Sequence, residues 1–167
     1  MTREAIQRWL GPAARGVVLV AMLAALATAA ERDVRVCKRA VDGDTIVLEN
    51  GERVRLLGVD TPELHHPVKP VQYFAREARA FVQSRVANRR VWLEYGQPRR
   101  DRYGRTLAYV FLADGTLLNL ELIERGYGFA YTRYPFRADY MERFRRAEAV
   151  ARRTDQGLWA GREGRTP

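Results

Sequence analysis

Thr45-Ile-Val-Leu-Glu-Asn-Gly-Glu-Arg-Val-Arg-Leu-Leu-Gly-Val-Asp60 is the stretch from which the fold is read. Thr45-Ile-Val-Leu48 has the β-branched, apolar character of a strand, and Asn50-Gly51 is a strong two-residue hairpin signal. The returning strand is expected over Glu52 to Val59. In it Val54 and Leu56 alternate with Arg53 and Arg55, so Arg55 faces away from the side that the apolar residues bury. The hairpin has a chemical consequence at its open end. Asp44 precedes its first strand and Asp60 follows its second, so two carboxylates meet there although 16 positions separate them in the chain.

Working outward, residues 33–41 alternate loosely and read as a further strand, and so do Val91 to Tyr95 and Thr106 to Leu112. Residues 61–70 hold Pro62, Pro67 and Pro70 and are expected to be loop. Val71, Phe74, Ala75, Ala78, Phe81, Val82 and Val86 recur at helical spacing, which predicts an amphipathic helix over Val71 to Ala87. A short helix is expected from an Asn119 cap to Gly126. A last helix runs from about Asp139, with Glu142 as a capping-box partner; Tyr140, Phe144, Ala147 and Ala151 form its inner stripe, and Gly157 ends it. Five short strands with glycine turns and three helices predict an α+β fold: a small closed barrel of the oligonucleotide-binding type carrying helices.

The 167 residues are not all one folded unit. Arg3, Arg8 and Arg15 precede an uncharged run, Gly16 to Ala30, that ends in Ala27-Thr-Ala29-Ala30. A basic start, a short apolar middle and small residues at the end form the pattern of a secretory signal peptide, with an uncleaved membrane anchor as the alternative. Residues 1–30 are therefore set apart as a leader, 31–160 as one domain and 161–167 as a polar tail, and the mature chain is expected to be secreted or periplasmic. The single cysteine, Cys37, excludes an intramolecular disulfide and reads as a small apolar residue. The formal net charge of +9, carried almost wholly by arginine, suits a polyanionic partner such as nucleic acid. Nothing in the sequence implies a stable protein partner, and a monomer is expected.

The candidate chemistry lies in three segments: Asp42-Gly-Asp-Thr45, Arg55-Leu-Leu-Gly-Val-Asp-Thr-Pro-Glu63 and Asp101-Arg-Tyr-Gly-Arg105. Asp44 and Asp60, with a backbone carbonyl and water, offer the all-oxygen set that Ca²⁺ takes. The absence of a His or Cys cluster argues against zinc, and the adjacent His65-His66 in a proline loop reads as surface. Glu63 sits near enough to orient or deprotonate water. Arg55 and Arg105 are permanently charged forks suited to phosphate oxygens. These parts suit metal-assisted hydrolysis of a phosphodiester.

Taken together, the three segments resemble the staphylococcal nuclease family over about Val36 to Trp159. The resemblance implies a five-stranded oligonucleotide-binding barrel with three helices and Ca²⁺-dependent cleavage of DNA and RNA that leaves 3′-phosphate ends. It implies Asp44 and Asp60 as Ca²⁺ ligands with the Thr61 carbonyl beside them, and Asp42 as an acid just behind them. By the same resemblance Glu63 is the water-activating carboxylate, and Arg55 and Arg105 bind the reacting phosphate. Arg102, Tyr103 and Lys69 are implied as substrate contacts, and Tyr131 as the base-stacking ring, with Tyr134 as the alternative. Stacking on an aromatic face tolerates any base, so weak sequence preference is expected. The alternative from a different class is a binding module of the same fold without catalysis. Such modules lack several of Asp44, Arg55, Asp60, Glu63 and Arg105, whereas here all five are present.

Overall fold

The Asn50-Gly51 turn forms as expected, with Gly51 at φ 84° and the Asn50 side chain accepting from the Glu52 N–H at 3.0 Å. In the computed structural model, which describes residues 33–64, 68, 70–134 and 136–160, this hairpin is part of the wall of a closed five-stranded barrel. The strands are β1 (Asp33–Asp42), β2 (Thr45–Leu48), β3 (Arg53–Leu56), β5 (Arg89–Arg100) and β6 (Thr106–Leu112), in the order β1-β2-β3-β6-β5 around the wall. All pairs are antiparallel except β3 with β6, which closes the barrel in parallel through Val54↔Thr106, Arg55↔Leu107 and Leu56↔Ala108. The inward positions are small or branched: Cys37, Ala40, Ile46, Val54, Ala108 and Val110 are all fully buried. Burial pushes the Cys37 thiol up to about 11, which makes it an inert core residue. The leader, the tail, His65, His66 and Lys69 lie outside the described residues.

The returning strand is not continuous. β3 stops at Leu56, the chain turns through Leu57-Gly58, and β4 (Val59–Asp60) runs on as half of a separate two-stranded ribbon with β7 (Phe129–Ala130). Gly58 makes this corner possible. Its φ is 72°, and a Cβ there would lie 2.6 Å from Phe136 Cζ and 2.7 Å from Phe144 Cε2. Every carbonyl of the corner has a donor. Arg55 Nη1 donates to Leu56 O at 2.8 Å and to Val59 O at 2.6 Å. Asn119 Nδ2 donates to Leu57 O at 2.9 Å, and the Tyr131 N–H to Gly58 O at 2.9 Å.

The three helices are α1 (Ala75–Val86), α2 (Leu118–Glu124) and α3 (Ala138–Arg153), followed by a 3-10 turn at Gly157–Trp159. α1 begins four residues later than its apolar spacing predicts. Val71 is exposed, and Phe74 enters the helix in the left-handed region at φ 68°. Asn119 does not cap α2. It lies inside the helix, fully buried, and its amide accepts from the Val110 N–H while donating to Leu57 O and Ala108 O. Gly126, at φ 70°, takes the left-handed position after α2 as expected. In α3, Tyr140, Phe144, Ala147 and Ala151 are the buried stripe as read from the sequence. Glu142, however, pairs with Arg146 at 2.7 Å instead of capping, and α3 ends at Arg153, where Asp155 and not Gly157 makes the first left-handed residue. A half-buried carboxylate network holds α1 to α2: Glu121 accepts from Arg85 Nε and from Arg125 Nε, each at 3.0 Å.

Candidate functional site

The β2–β3 register sets Thr45 directly across from Arg55, so Asp44 arrives beside the guanidinium. The corner at Gly58 then folds Asp60 back onto the same group. Arg55 Nη2 lies 3.1 Å from Asp44 Oδ2 and 3.2 Å from Asp60 Oδ1, so both carboxylates converge on one nitrogen. Asp44 is nearly buried and further held by the Thr45 hydroxyl (2.9 Å) and the Thr61 N–H (3.2 Å). Asp60 keeps about half its side chain in solvent. Desolvation nevertheless pushes its carboxyl above the ordinary value; Arg55 pulls the other way, while Asp44 and Glu63 add to the rise. A group so placed gains from a second cation nearby.

Gly43 explains why a residue without a side chain separates Asp42 from Asp44. A Cβ at that position would lie 2.8 Å from Thr61 Oγ1 and 2.9 Å from Ala78 Cβ. The turn carrying Asp44, the loop carrying Thr61 and α1 meet at that point. Gly43→Ala is expected to cost about 1–3 kcal/mol by overpacking. Chemical denaturation checks this, and a midpoint equal to the parent's contradicts it. Asp42 itself pairs with Thr45 at the end of the β1–β2 ladder, two residues before Asp44.

Glu63 is exposed, and its position is set through its backbone. The Glu63 N–H donates to Gln72 Oε1 at 3.0 Å, and the Gln72 N–H donates back to Glu63 O at 3.1 Å. This clamp spans the proline loop. The apolar spacing places Gln72 within the expected helix Val71 to Ala87, whereas the helix begins at Ala75 and leaves Gln72 in the loop that clamps Glu63.

Arg105 stands in a second cluster. Asp101-Arg-Tyr-Gly104 is a turn closed by the Gly104 N–H on Asp101 O at 3.0 Å, with Gly104 at φ 76°. Asp101 organises it. Its Oδ2 accepts from Arg105 Nε at 2.7 Å, and its Oδ1 from the N–H groups of Tyr103 and Arg105 at 2.9 and 3.0 Å. An aspartate three residues before a glycine is a turn signature, so the sequence itself carries the signal for the role of Asp101. Arg102 Nη2 donates to the Tyr103 hydroxyl at 2.6 Å, and both residues are exposed. The Tyr131 ring, just past β7, is 6.0 Å from the ring of Tyr134, beside the corner that its N–H bonds.

Burial alone would raise the Asp101 carboxyl, but its hydrogen bonds from Arg105 and Tyr103 hold it below the ordinary value. A depressed carboxylate stabilises the fold above its unfolded value of about 3.9 and loses that contribution as pH falls through the lower, folded value. The acid limb of a melting-temperature profile should therefore be shallower in Asp101→Asn than in the parent. Parallel acid limbs contradict the assignment.

Residues 53–161 match the family described as staphylococcal nuclease homologues. The chain belongs to the staphylococcal nuclease family. It is 41% identical over 125 residues to a thermonuclease of Staphylococcus intermedius, covering 73% of each chain. It is 37% identical over 140 residues to a thermonuclease of Staphylococcus hyicus, covering 82% of this chain and 81% of the relative. Endonuclease YncB of Bacillus subtilis is 36% identical over 73% of this chain and 59% of its own length. The family match begins at Arg53, after Asp44, so the position of Asp44 in the cluster is read from the barrel register.

The structure thus gathers Asp44, Arg55, Asp60 and Thr61 into one cluster, with Asp42 at the end of the adjoining strand and Glu63 within electrostatic reach of Asp60. Arg102, Tyr103 and Arg105 share the Asp101 turn, and Tyr131 follows the strand paired with β4. Among the described residues no group of three or more His, Cys, Asp or Glu side chains forms a metal cage. The carboxylates of Asp44 and Asp60 are an open, oxygen-only pair of donors. That set fits a hard divalent ion that keeps much of its water, and it does not fit zinc.

Proposed function

We propose that this protein is a nuclease that hydrolyses phosphodiester bonds of DNA and RNA with low sequence preference, requires Ca²⁺, and leaves 3′-phosphate and 5′-hydroxyl ends. The observation that carries the reading is the convergence of Asp44 and Asp60 on Arg55, in a chain of the staphylococcal nuclease family that retains Glu63 and Arg105. Asp44, Asp60 and the Thr61 carbonyl would hold the ion. When bound, the ion supplies positive charge that offsets the phosphate's and lowers the barrier to attack.

The chain's own groups then have distinct tasks. The Glu63 carboxylate takes a proton from a water molecule whose oxygen forms the new bond to phosphorus; the bond to the 5′-oxygen breaks, and that oxygen leaves as the hydroxyl after gaining a proton. Arg55, already oriented by two backbone carbonyls, presents its guanidinium to the phosphoryl oxygens as negative charge builds on them. Arg105, oriented by Asp101, does the same from the other turn. Arg102, Tyr103 and Lys69 contact the substrate, and Tyr131 stacks on a base. The mature protein acts outside the cytoplasm once residues 1–30 are removed, and the mass of the N-terminal fragment from secreted material tests that part.

The test is degradation of single- and double-stranded DNA and of RNA with Ca²⁺, with Mg²⁺ and with chelator. Cleavage that needs Ca²⁺ and yields 3′-phosphate ends is expected. Nucleic acid bound but not cut under every condition would make this a binding module instead.

A further inference from the structure

The outer face of β3 carries Arg53 as well as Arg55. Successive outward residues on a strand stand roughly 7 Å apart, a stride comparable with that between phosphates on an extended polynucleotide. Continuing the parallel register back from Val54↔Thr106 sets Arg53 across from Arg105. Between the Asn50-Gly51 turn and the Asp101–Arg105 turn lies an open cleft of about 460 Å³, lined by Arg53, Arg100, Tyr103 and Arg105 among others. Tyr103 and Arg105 belong to the site already described; Arg53 and Arg100 do not.

The cleft keeps more arginine than carboxylate: Arg53, Arg100 and Arg105 against Glu52 and the neighbouring Asp101. Of the two carboxylates here, Asp101 pairs with Arg105, and Glu52, which itself lines the cleft, accepts a hydrogen bond from the Thr106 hydroxyl. Arg53 has no carboxylate partner among the described residues. Arg100 approaches Glu52 only to 3.8 Å, and its other terminal nitrogen donates to Gly104 O at 3.1 Å, which steers the guanidinium over the turn. Both side chains are exposed and ready to take anionic oxygens.

We propose that Arg53 and Arg100 form a second phosphate subsite, which holds the phosphate adjacent along the strand to the one that reacts. The proposal rests on the nuclease reading for the position of the reacting phosphate. It gives the protein a preference for polynucleotide over single-phosphodiester substrates, without any reading of bases.

Two measurements on the protein carrying Arg53→Ala and Arg100→Ala test it. The first is binding of a short fluorescein-labelled oligothymidylate in chelator, across a range of salt. The second is hydrolysis with Ca²⁺ of thymidine 5′-(p-nitrophenyl phosphate), which has one phosphodiester. Oligonucleotide affinity at low salt should fall roughly tenfold and the log–log salt slope should drop by about 1, while hydrolysis of the small substrate stays as in the parent. The Arg53→Lys/Arg100→Lys protein should recover the slope, which separates lost charge from a damaged fold. An affinity and slope no different from those of an Arg89→Ala/Arg90→Ala control, on exposed β5 positions away from the cleft, would overturn the subsite. So would a matching loss on the small substrate, since the arginines would then act at the reacting phosphate. If the parent cuts neither substrate yet the arginine variant still loses oligonucleotide binding, the nuclease reading fails and the subsite stands.

Discussion

Arg55→Ala is expected to lower turnover by about 10²–10³ or more and also to destabilise the fold. The catalytic loss follows from the task proposed for the guanidinium, since removing one preorganised donor to a developing negative charge costs factors of that size. The stability loss follows from what Arg55 touches. Its Nη2 lies between Asp44 and Asp60, and its Nη1 bonds two carbonyls of the corner. Without it, the nearly buried Asp44 loses its cationic partner and Val59 O loses its donor. Breaking a buried ion pair costs about 3–5 kcal/mol; the half-exposed Asp60 recovers hydration, so about 2–4 kcal/mol is expected here. Arg55→Lys should recover part of the stability but little of the rate, because one ammonium cannot bond two carbonyls and bridge two carboxylates. Denaturation midpoints and single-turnover rates measured with and without Ca²⁺ separate the two effects. Added Ca²⁺ should stabilise Arg55→Ala at least as much as the parent, since the carboxylates are then uncompensated. A variant with normal rate and normal stability would dismantle the site as described.

Glu63→Gln is expected to behave differently: turnover falls by about 10²–10⁴, while the melting temperature stays within a degree or so of the parent's. The side chain is exposed, and the contacts that fix residue 63 are made by its backbone, so the amide disturbs nothing but the proton acceptor. Gln72→Ala supplies the companion test. It leaves the Glu63 carboxylate intact and removes the acceptor that holds its N–H, so a smaller fall in kcat with little change in KM is expected. Gln72→Glu, which keeps an acceptor, should restore most of it. If Glu63→Gln retains near-normal turnover, water activation belongs to another group.

Comparison of the two clusters shows what the sequence could carry. The barrel was legible because its signals are local: a hairpin dipeptide, alternation in the strands and a 3.6-residue stripe at Tyr140, Phe144, Ala147 and Ala151. Arg55 and Asp60 were legible as participants but not as partners. On a straight strand, residues five apart point to opposite faces and sit about 17 Å apart. Only the Gly58 corner brings them to 3.2 Å, and what makes a glycine necessary there is packing by Phe136 and Phe144, some 80 residues away. Asn119 was misread for a related reason. Asparagine before a short helix suggests a cap, and nothing nearby reveals that the carbonyls it serves lie at the Leu57-Gly58 corner and on β6. Gln72 was hidden by apolar spacing that ran on past the true start of α1.

The corner between β3 and β4 also governs when the protein can become active. Its four carbonyls draw on Arg55 from within the hairpin, on Asn119 from α2 and on Tyr131 from beyond β7. Asp44, Arg55, Asp60 and Glu63, the residues proposed to hold the ion, bind the phosphate and activate water, all lie before residue 64, yet the backbone that aims them is completed only by groups more than fifty positions downstream. A nascent chain or a proteolytic fragment ending before α2 therefore holds most of the reacting groups without the means to aim them. On the proposed assignment, cutting power is a property of the finished fold and not of the hairpin that carries most of its groups.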